Sequence, residues 1–262
     1  MTDSQQPTWL DAALANTLAG EPVQNIRVNH PDIAMDDAYA LQRELVTKLQ
    51  DHGGWGDVYG YKAALTAEPA QQAMGINQPS IGVLLKRAVF QADGATAITT
   101  DRPVLLETEV GFTLGKPITE PVTEHNVLDA VAYCSGLIEL ASPNLQQRPT
   151  SVDLISNNSA SYGCVVGVSN KHPTDIDLDA VPVTLTRLAS ADEVLHIAAA
   201  GSVMAGQREA LIWLINSTLA QGYALQPGHV LMTGPIGSMH AGKAGKYRAD
   251  FGALGDLTFV LD

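Results

Sequence analysis

Between Leu105 and Leu114 the side chains alternate with a period of two. Leu106, Val110, Phe112 and Leu114 fall on one face, and Glu107, Glu109 and Thr113 on the other, which predicts a strand. Helical spacing precedes it. Residues 7–19 predict a first helix, and residues 36–52 a second, with Leu41, Leu45 and Leu49 recurring every four positions, Asp36 and Asp37 as caps, and Gly53-Gly54 as its end. Residues 57–66 read as a strand, and Glu68 to Met74 as a short helix stopped by Gly75. Further on, the pattern predicts a helix over 124–133 running into an apolar strand at 136–141. A short helix from Asp153 to Ala160 then leads into a strand at 162–168. A hairpin over 182–189 and 193–199, a helix over 206–221 ended by Gly222, and a strand over 229–233 after Gln226-Pro227-Gly228 follow. A final hairpin spans 246–262, with its turn near Gly252 to Gly255. The helices come first and the strands later, without the regular alternation of a doubly wound sheet. The expected class is α+β: a small helical N-terminal region, residues 1–56, on a mixed β body, residues 57–262.

Charge narrows the possible partners. With 15 Lys+Arg against 28 Asp+Glu the formal net charge is −13, and no basic stripe interrupts it, which argues against nucleic acid. An anionic substrate is repelled at long range too, so a local lysine, arginine or metal must recruit it. Cys134 and Cys164 both lie in apolar runs and are expected as reduced, buried thiols. The polar start Met1-Thr2-Asp3-Ser4-Gln5-Gln6 lacks the basic flank and apolar stretch of a signal peptide, and no apolar run reaches membrane-spanning length. The expectation is a cytoplasmic protein without a membrane partner.

Several familiar motifs are missing: His-Glu-x-x-His, Cys-x-x-Cys and Gly-x-Ser-x-Gly. Gly237-Ser-Met-His-Ala-Gly242-Lys243 has phosphate-loop spacing. However, Ala244 stands where a metal-binding hydroxyl is needed, and a strand-like stretch follows instead of a helix. The chemistry-bearing residues lie elsewhere. Glu107 and Glu109, two apart on a strand, leave the same face about 7 Å apart. They form either a solvated polar face or a pair that a hard cation relieves. Glu139 sits in the apolar run Gly136-Leu137-Ile138-Glu139-Leu140-Ala141, where a lone carboxylate needs a buried cationic partner or a metal. Three carboxylates without His or Cys favour Mg²⁺ or Mn²⁺. Lys62, flanked by small and apolar residues in Gly60 to Thr66, is a snorkelling surface lysine, a partner for a buried anion, or a base whose pKa burial has lowered. The strand exit at Thr233-Gly234 offers a hydroxyl and backbone N–H groups to an anion, or is an ordinary turn.

In this order the segments resemble the fumarylacetoacetate hydrolase superfamily, and within it the 2-oxopent-4-enoate (2-hydroxypentadienoate) hydratases and their sister 2-oxo-3-hexenedioate (4-oxalocrotonate) decarboxylases. The likeness runs from Ala38-Tyr39-Ala40-Leu41-Gln42 to the final hairpin. The family's Gly-x-Lys-x-Gly-Leu-Thr run resembles Gly60 to Thr66, and its Glu-x-Glu strand falls on Glu107-Thr108-Glu109 with the third carboxylate at Glu139. Its Asp-Asn-Ala-Ser-like segment falls near Asn157 to Ala160, and its Pro-Gly-Asp-x-x-x-Thr-Gly run on Pro227 to Gly234. Ala64, His229, Gln207-Arg208-Glu209 and the segment Asn77-Gln78-Pro79-Ser80, which is usually acidic, depart from the pattern. The resemblance implies a fumarylacetoacetate-hydrolase-like mixed β fold and a homo-oligomer. It implies Mg²⁺ or Mn²⁺ on Glu107, Glu109 and Glu139, and a small 2-oxo acid near Leu65, Thr66, Asn158, Thr233 and Gly234. Lys62 is its catalytic residue. The implied reaction is hydration of a 2-hydroxydienoate to a 4-hydroxy-2-oxo acid in aromatic meta-cleavage catabolism. The alternatives are decarboxylation, or a weakly active paralogue that binds an active partner.

Overall fold

Helix α1 (Trp9–Ala19) starts at Thr8, whose Oγ1 accepts from the Asp11 N–H, and ends at the left-handed Gly20. Helix α2 (Met35–Asp51) starts at Ala34 without a side-chain cap. Asp36 and Asp37, expected as caps, lie within its first turn, where their charge still favours the helix N-terminus. The structure is a computed structural model that describes residues 8–262 except residues 93, 96 and 170. No helix among the described residues is long and apolar enough to cross a membrane.

After α2 come strand β1 (Val58–Ala64), helix α3 (Glu68–Met74), and strands β2 (Ser80–Leu85), β3 (Val89–Gln91) and β4 (Ala97–Ile98). Strands β5 (Leu105–Leu114) and β6 (Val131–Ala141) form the longest antiparallel pair. Helix α4 (Ser151–Ser156), strand β7 (Ser161–Val166), the hairpin β8 (Pro182–Leu188) and β9 (Glu193–Ala199), and helix α5 (Gln207–Ala220) follow. The chain closes with β10 (Val230–Met232), β11 (Ile236–Ala241), β12 (Gly245–Asp250) and β13 (Asp256–Leu261).

The helix expected over 124–133 does not form. The Asn126 side chain accepts from the Thr123 N–H, and short-range bonds turn the chain until Val131, where pairing with Leu114 begins β6. The helical spacing there is outweighed by a partner strand that buries β-branched Val131. The helix expected over Asp153 to Ala160 is split: α4 ends at Ser156, and Asn158, Ser159 and Ala160 take three consecutive left-handed conformations (φ 60°, 51°, 60°). Strands β2, β3, β4 and β11 add to the strands that periodicity identified.

Two sheets result. The larger has the order β2-β1-β10-β5-β6-β7-β3, with β11 also paired to β5; the smaller has the order β4-β13-β12-β8-β9. Strand β5 is buried on both faces, as expected of a central strand covered on both sides. The free side of β2 is met by the left-handed segment. The Asn158 amide accepts from the Val83 N–H and donates to the Val83 C=O, both at 2.8 Å, and Ser159 Oγ donates to Ile81 O. From the other direction α2 docks on the same strand, with Gln42 Nε2 donating to Ile81 O and Tyr39 OH accepting from the Ile81 N–H. These fixed side chains hold a backbone that would otherwise be strained.

Asn158→Ala removes the partners of both the N–H and the C=O of buried Val83. The expected loss is about 2–6 kcal/mol, since each of the two orphaned groups costs about 1–3 kcal/mol. Urea unfolding measures it, and a loss under about 1 kcal/mol would show that the seam does not depend on this amide.

Candidate metal centre

Strand β5 turns Glu107 and Glu109 to one face, and its register with β6 sets Glu139 directly opposite Glu107. One carboxylate oxygen from each lies within 4.8 Å of the others. The solvated polar face that the sequence left open is ruled out: Glu107 is 6% exposed and the other two 0%. Lys62 on β1 points into the same interior, 2% exposed, with Nζ 2.7 Å from Glu139 Oε1. Apart from this close ion pair, no donor among the described residues is hydrogen-bonded to either Glu139 oxygen or to Glu109 Oε1. The buried ion pair that the sequence left open for Glu139 therefore exists, and it sits inside the cluster instead of replacing it. Three carboxylates face one ammonium, which leaves two negative charges uncompensated if all are ionised.

The proton equilibria register this imbalance. Burial raises the Glu107 carboxyl to about 8, with Glu139 adding to the shift and Lys62 opposing it. Glu109 is raised well above the usual carboxylate range by burial, then by Glu139 and Glu107, against the Gly234 N–H that holds its ionised form. For Lys62, burial is the largest effect and pushes downward, yet Glu139, Glu107 and Glu109 together outweigh it and lift its pKa. Lys62 is thus a charged ammonium here, and not a burial-lowered base. Cys164, opposite Glu139 on β7, has its thiol raised by burial and by Glu139 and Glu109. Both cysteines are free and buried, as expected.

An oxygen-only set with three donorless buried oxygens fits a hard divalent cation. The ion would replace mutual repulsion with coordination, and among the described residues the group that could hold it contains no nitrogen or sulfur ligand to favour a softer metal.

The residues around the cluster have defined partners. Strands β10 and β11 both pair with β5, and the chain breaks between them at Thr233-Gly234-Pro235. At this break Gly234 takes φ 115° and its N–H donates to Glu109 Oε2 at 2.7 Å. A side chain at Gly234 would both strain this conformation and lie 2.5 Å from Thr66 Cγ2. The Thr233 hydroxyl donates to Gln207 Oε1 at 2.7 Å, and Gln207 Nε2 donates to Ala200 O. The hydroxyl and N–H that the sequence offered to an outside anion are therefore engaged within the protein, the N–H by Glu109 itself. Leu65 leaves β1 in a left-handed conformation (φ 57°) with its carbonyl held by Gln71 Nε2, and Thr66 is buried beside Gly234. Asn158 uses both ends of its amide on Val83. Gln207 was not singled out by sequence reasoning as a site residue. Its only signal was the departure Gln207-Arg208-Glu209 at the start of α5. A surface cavity of about 780 Å³ lies among Trp9, Ile26, His30, Ile33 and Leu41, and neither Lys62 nor the three glutamates line it.

No protein-family model matches the chain. Among curated proteins it is 28% identical over 247 residues to 2-keto-4-pentenoate hydratase of Paraburkholderia xenovorans (strain LB400), covering 94% of this chain and 90% of the relative. It is 29% identical over 249 residues to 2-oxo-hept-4-ene-1,7-dioate hydratase of Escherichia coli, covering 91% of each. Among solved structures, 4-oxalocrotonate decarboxylase of Pseudomonas putida G7, complexed with magnesium and adipate, has a TM-score of 0.87 at 18% identity over 99% of this chain and 100% of that one. Fumarylpyruvate hydrolase of Pseudomonas aeruginosa, in complex with Mn²⁺ and pyruvate, has a TM-score of 0.58 at 14% identity, covering 79% and 89%. The α+β architecture read from the sequence is thus that of known structures. Over nearly its whole length the chain's sequence is similar to curated 2-keto-4-pentenoate and 2-oxo-hept-4-ene-1,7-dioate hydratases, and its fold is similar to that of 4-oxalocrotonate decarboxylase.

Proposed function

We propose that this protein is a hydro-lyase that adds water to a 2-hydroxydienoate, or its 2-oxo-enoate tautomer, giving a 4-hydroxy-2-oxo acid in aromatic meta-cleavage catabolism. The observation that carries this reading is the buried cluster of Glu107, Glu109 and Glu139 with Lys62 against it. The hydratase names of the sequence relatives support the reaction, and the Mg²⁺ and Mn²⁺ in structural neighbours support the ion class. The reading includes a homo-oligomer in the cytoplasm acting on a small 2-oxo acid.

Glu107, Glu109 and Glu139 would hold Mg²⁺ or Mn²⁺, which when bound supplies Lewis acidity toward a chelating 2-oxo acid. Lys62 holds one N–H toward Glu139 and can present its others to the substrate carboxylate. As a charged ammonium it can also deliver a proton to C5 as the 2-hydroxyl proton is released in tautomerisation, or to C3 as water adds at C4 and returns a proton to the amine. Burial of all four side chains restricts water, so their charges act with little screening. Leu65, Thr66 and Thr233-Gly234 would shape the wall around the substrate, the last pair partly by fixing Glu109.

With Mg²⁺ or Mn²⁺ present, the protein is expected to bleach the absorbance of 2-hydroxypenta-2,4-dienoate. Lys62→Met should lower kcat at least about 100-fold, the scale of a general acid's contribution. Carbon dioxide released from 4-oxalocrotonate, with the dienoate untouched, would replace hydration with the sister decarboxylation. Binding of no 2-oxo acid would favour a non-catalytic partner role.

The metal-free protein gives a separate prediction. Because folding raises the Glu107 pKa, the folded chain keeps a proton that the unfolded chain releases. This contribution to stability is full below the ordinary value of 4.5 and is lost as pH rises through about 8. Thermal melts in chelator should show Tm falling across that window more steeply for the wild type than for Glu107→Gln, with Mn²⁺ restoring the wild type alone. Parallel pH profiles for the two proteins would remove the charge-strain account of the cluster.

A further inference from the structure

On β5, Thr108 is the polar residue between the two carboxylates, and it points away from them into an otherwise apolar face with Leu106, Val110 and Phe112. It is 0% exposed, so its hydroxyl needs partners inside the protein. It has two: Ile236 O on β11 at 2.8 Å, and His196 Nε2 on β9 at 3.0 Å. His196 Nδ1 in turn lies 3.1 Å from His240 Nε2 on β11, with the two rings nearly parallel at 14°.

The proton positions follow from counting. A hydroxyl has one proton, and the carbonyl of Ile236 can only accept, so Thr108 donates there. His196 Nε2 must then carry the hydrogen it gives to Thr108. In a neutral ring Nδ1 is then an acceptor, and His240 Nε2–H donates to it. Burial, followed by the His240 neighbour, lowers the His196 pKa and keeps that ring neutral. The result is a directed chain, His240 to His196 to Thr108 to the Ile236 carbonyl.

The backbone is shaped to admit the chain. Ile236 pairs with Thr108 and His240 with Leu106, so residues 237–239 bulge opposite the single residue Glu107. Gly237 in this bulge has φ 77°, and a Cβ there would lie 2.7 Å from His196 Cδ2. Gly237, the first glycine of the segment with phosphate-loop spacing, therefore makes room for the imidazole that His240 meets.

We propose that Thr108, His196 and His240 are positioning residues that fix the β5 segment carrying Glu107 and Glu109 from behind, and so set the placement of those two carboxylates for the divalent cation. The inference rests on the metal reading of the site. A divalent cation held by the carboxylates on either side of Thr108 would draw this peptide segment inward. The Thr108 hydroxyl anchors it outward to both β11 and the second sheet.

The test compares Mn²⁺ affinity by titration calorimetry with stability by urea unfolding. Thr108→Val and His196→Phe should each weaken Mn²⁺ binding about 10-fold or more, the range seen when groups that orient metal ligands are removed. Thr108→Ser should stay within about twofold of wild type. The double variant Thr108→Val/His196→Phe should bind no more weakly than the worse single variant, because both changes break one chain. Independent of any variant folding, ¹⁵N spectra of the wild-type imidazoles should show His196 protonated at Nε2 and not Nδ1. An Nδ1–H tautomer, additive losses in the double variant, or Mn²⁺ affinity within twofold of wild type for both single variants would overturn the proposal alone. Wild-type protein that binds no Mn²⁺ would overturn both it and the metal reading.

Discussion

Three acidic side chains and one ammonium share a space from which water is nearly excluded, and much of the surrounding structure compensates for the excess negative charge. Proximity of like charges in a weakly screening interior costs free energy that side-chain packing cannot return. The protein meets the cost at several points. Lys62 is drawn to 2.7 Å from Glu139, and the chain breaks at Gly234 so that one peptide N–H reaches Glu109. Protonation of Glu107 and Glu109 is favoured, and an oxygen-lined gap fits a divalent ion. The substrate follows from the same imbalance. In a chain of net charge −13, a divalent cation on these ligands would cancel the two negative charges that Lys62 leaves uncompensated, and so remove the local repulsion of a small oxo acid.

Strand β5 carries this arrangement because it is central in both directions. It pairs with β6 along one edge and with β10 and β11 along the other, so its register fixes where Glu139 and Gly234 arrive. Its two faces do different work. One bears the carboxylates; the other is apolar apart from Thr108 and packs toward the second sheet. A change of one residue in register would exchange these faces, placing Leu106 and Val110 in the polar interior and both glutamates in the core.

The sequence made the centre legible for a local reason. A carboxylate pair at period two, a glutamate in an apolar run and a lysine among small residues are each anomalous within a few positions of themselves. The short strands were harder to read. Strand β2 follows a Pro and contains Gly82, β11 contains a bulge at Gly237, and at 124–133 a helical spacing yielded to pairing with β5. Harder still were groups whose role depends on distant partners. Thr108 meets His196 across 88 residues and Gln207 meets Thr233 across 26, and neither contact leaves a trace in local periodicity. Charge also misleads when read locally: a buried lysine suggested a lowered pKa until three carboxylates from two other strands were placed around it.

The Asn158 amide on Val83 has a consequence at the larger sheet's margin. An outermost strand normally presents a ladder of open donors and acceptors on which a neighbouring chain can build. On β2 the Val83 peptide unit is occupied by a side-chain amide that imitates a strand but cannot be extended, with Ser159 closing on the adjacent carbonyl. The margin is thereby terminated from within the same molecule, and its strained left-handed turn gives protection against intermolecular sheet growth without another strand.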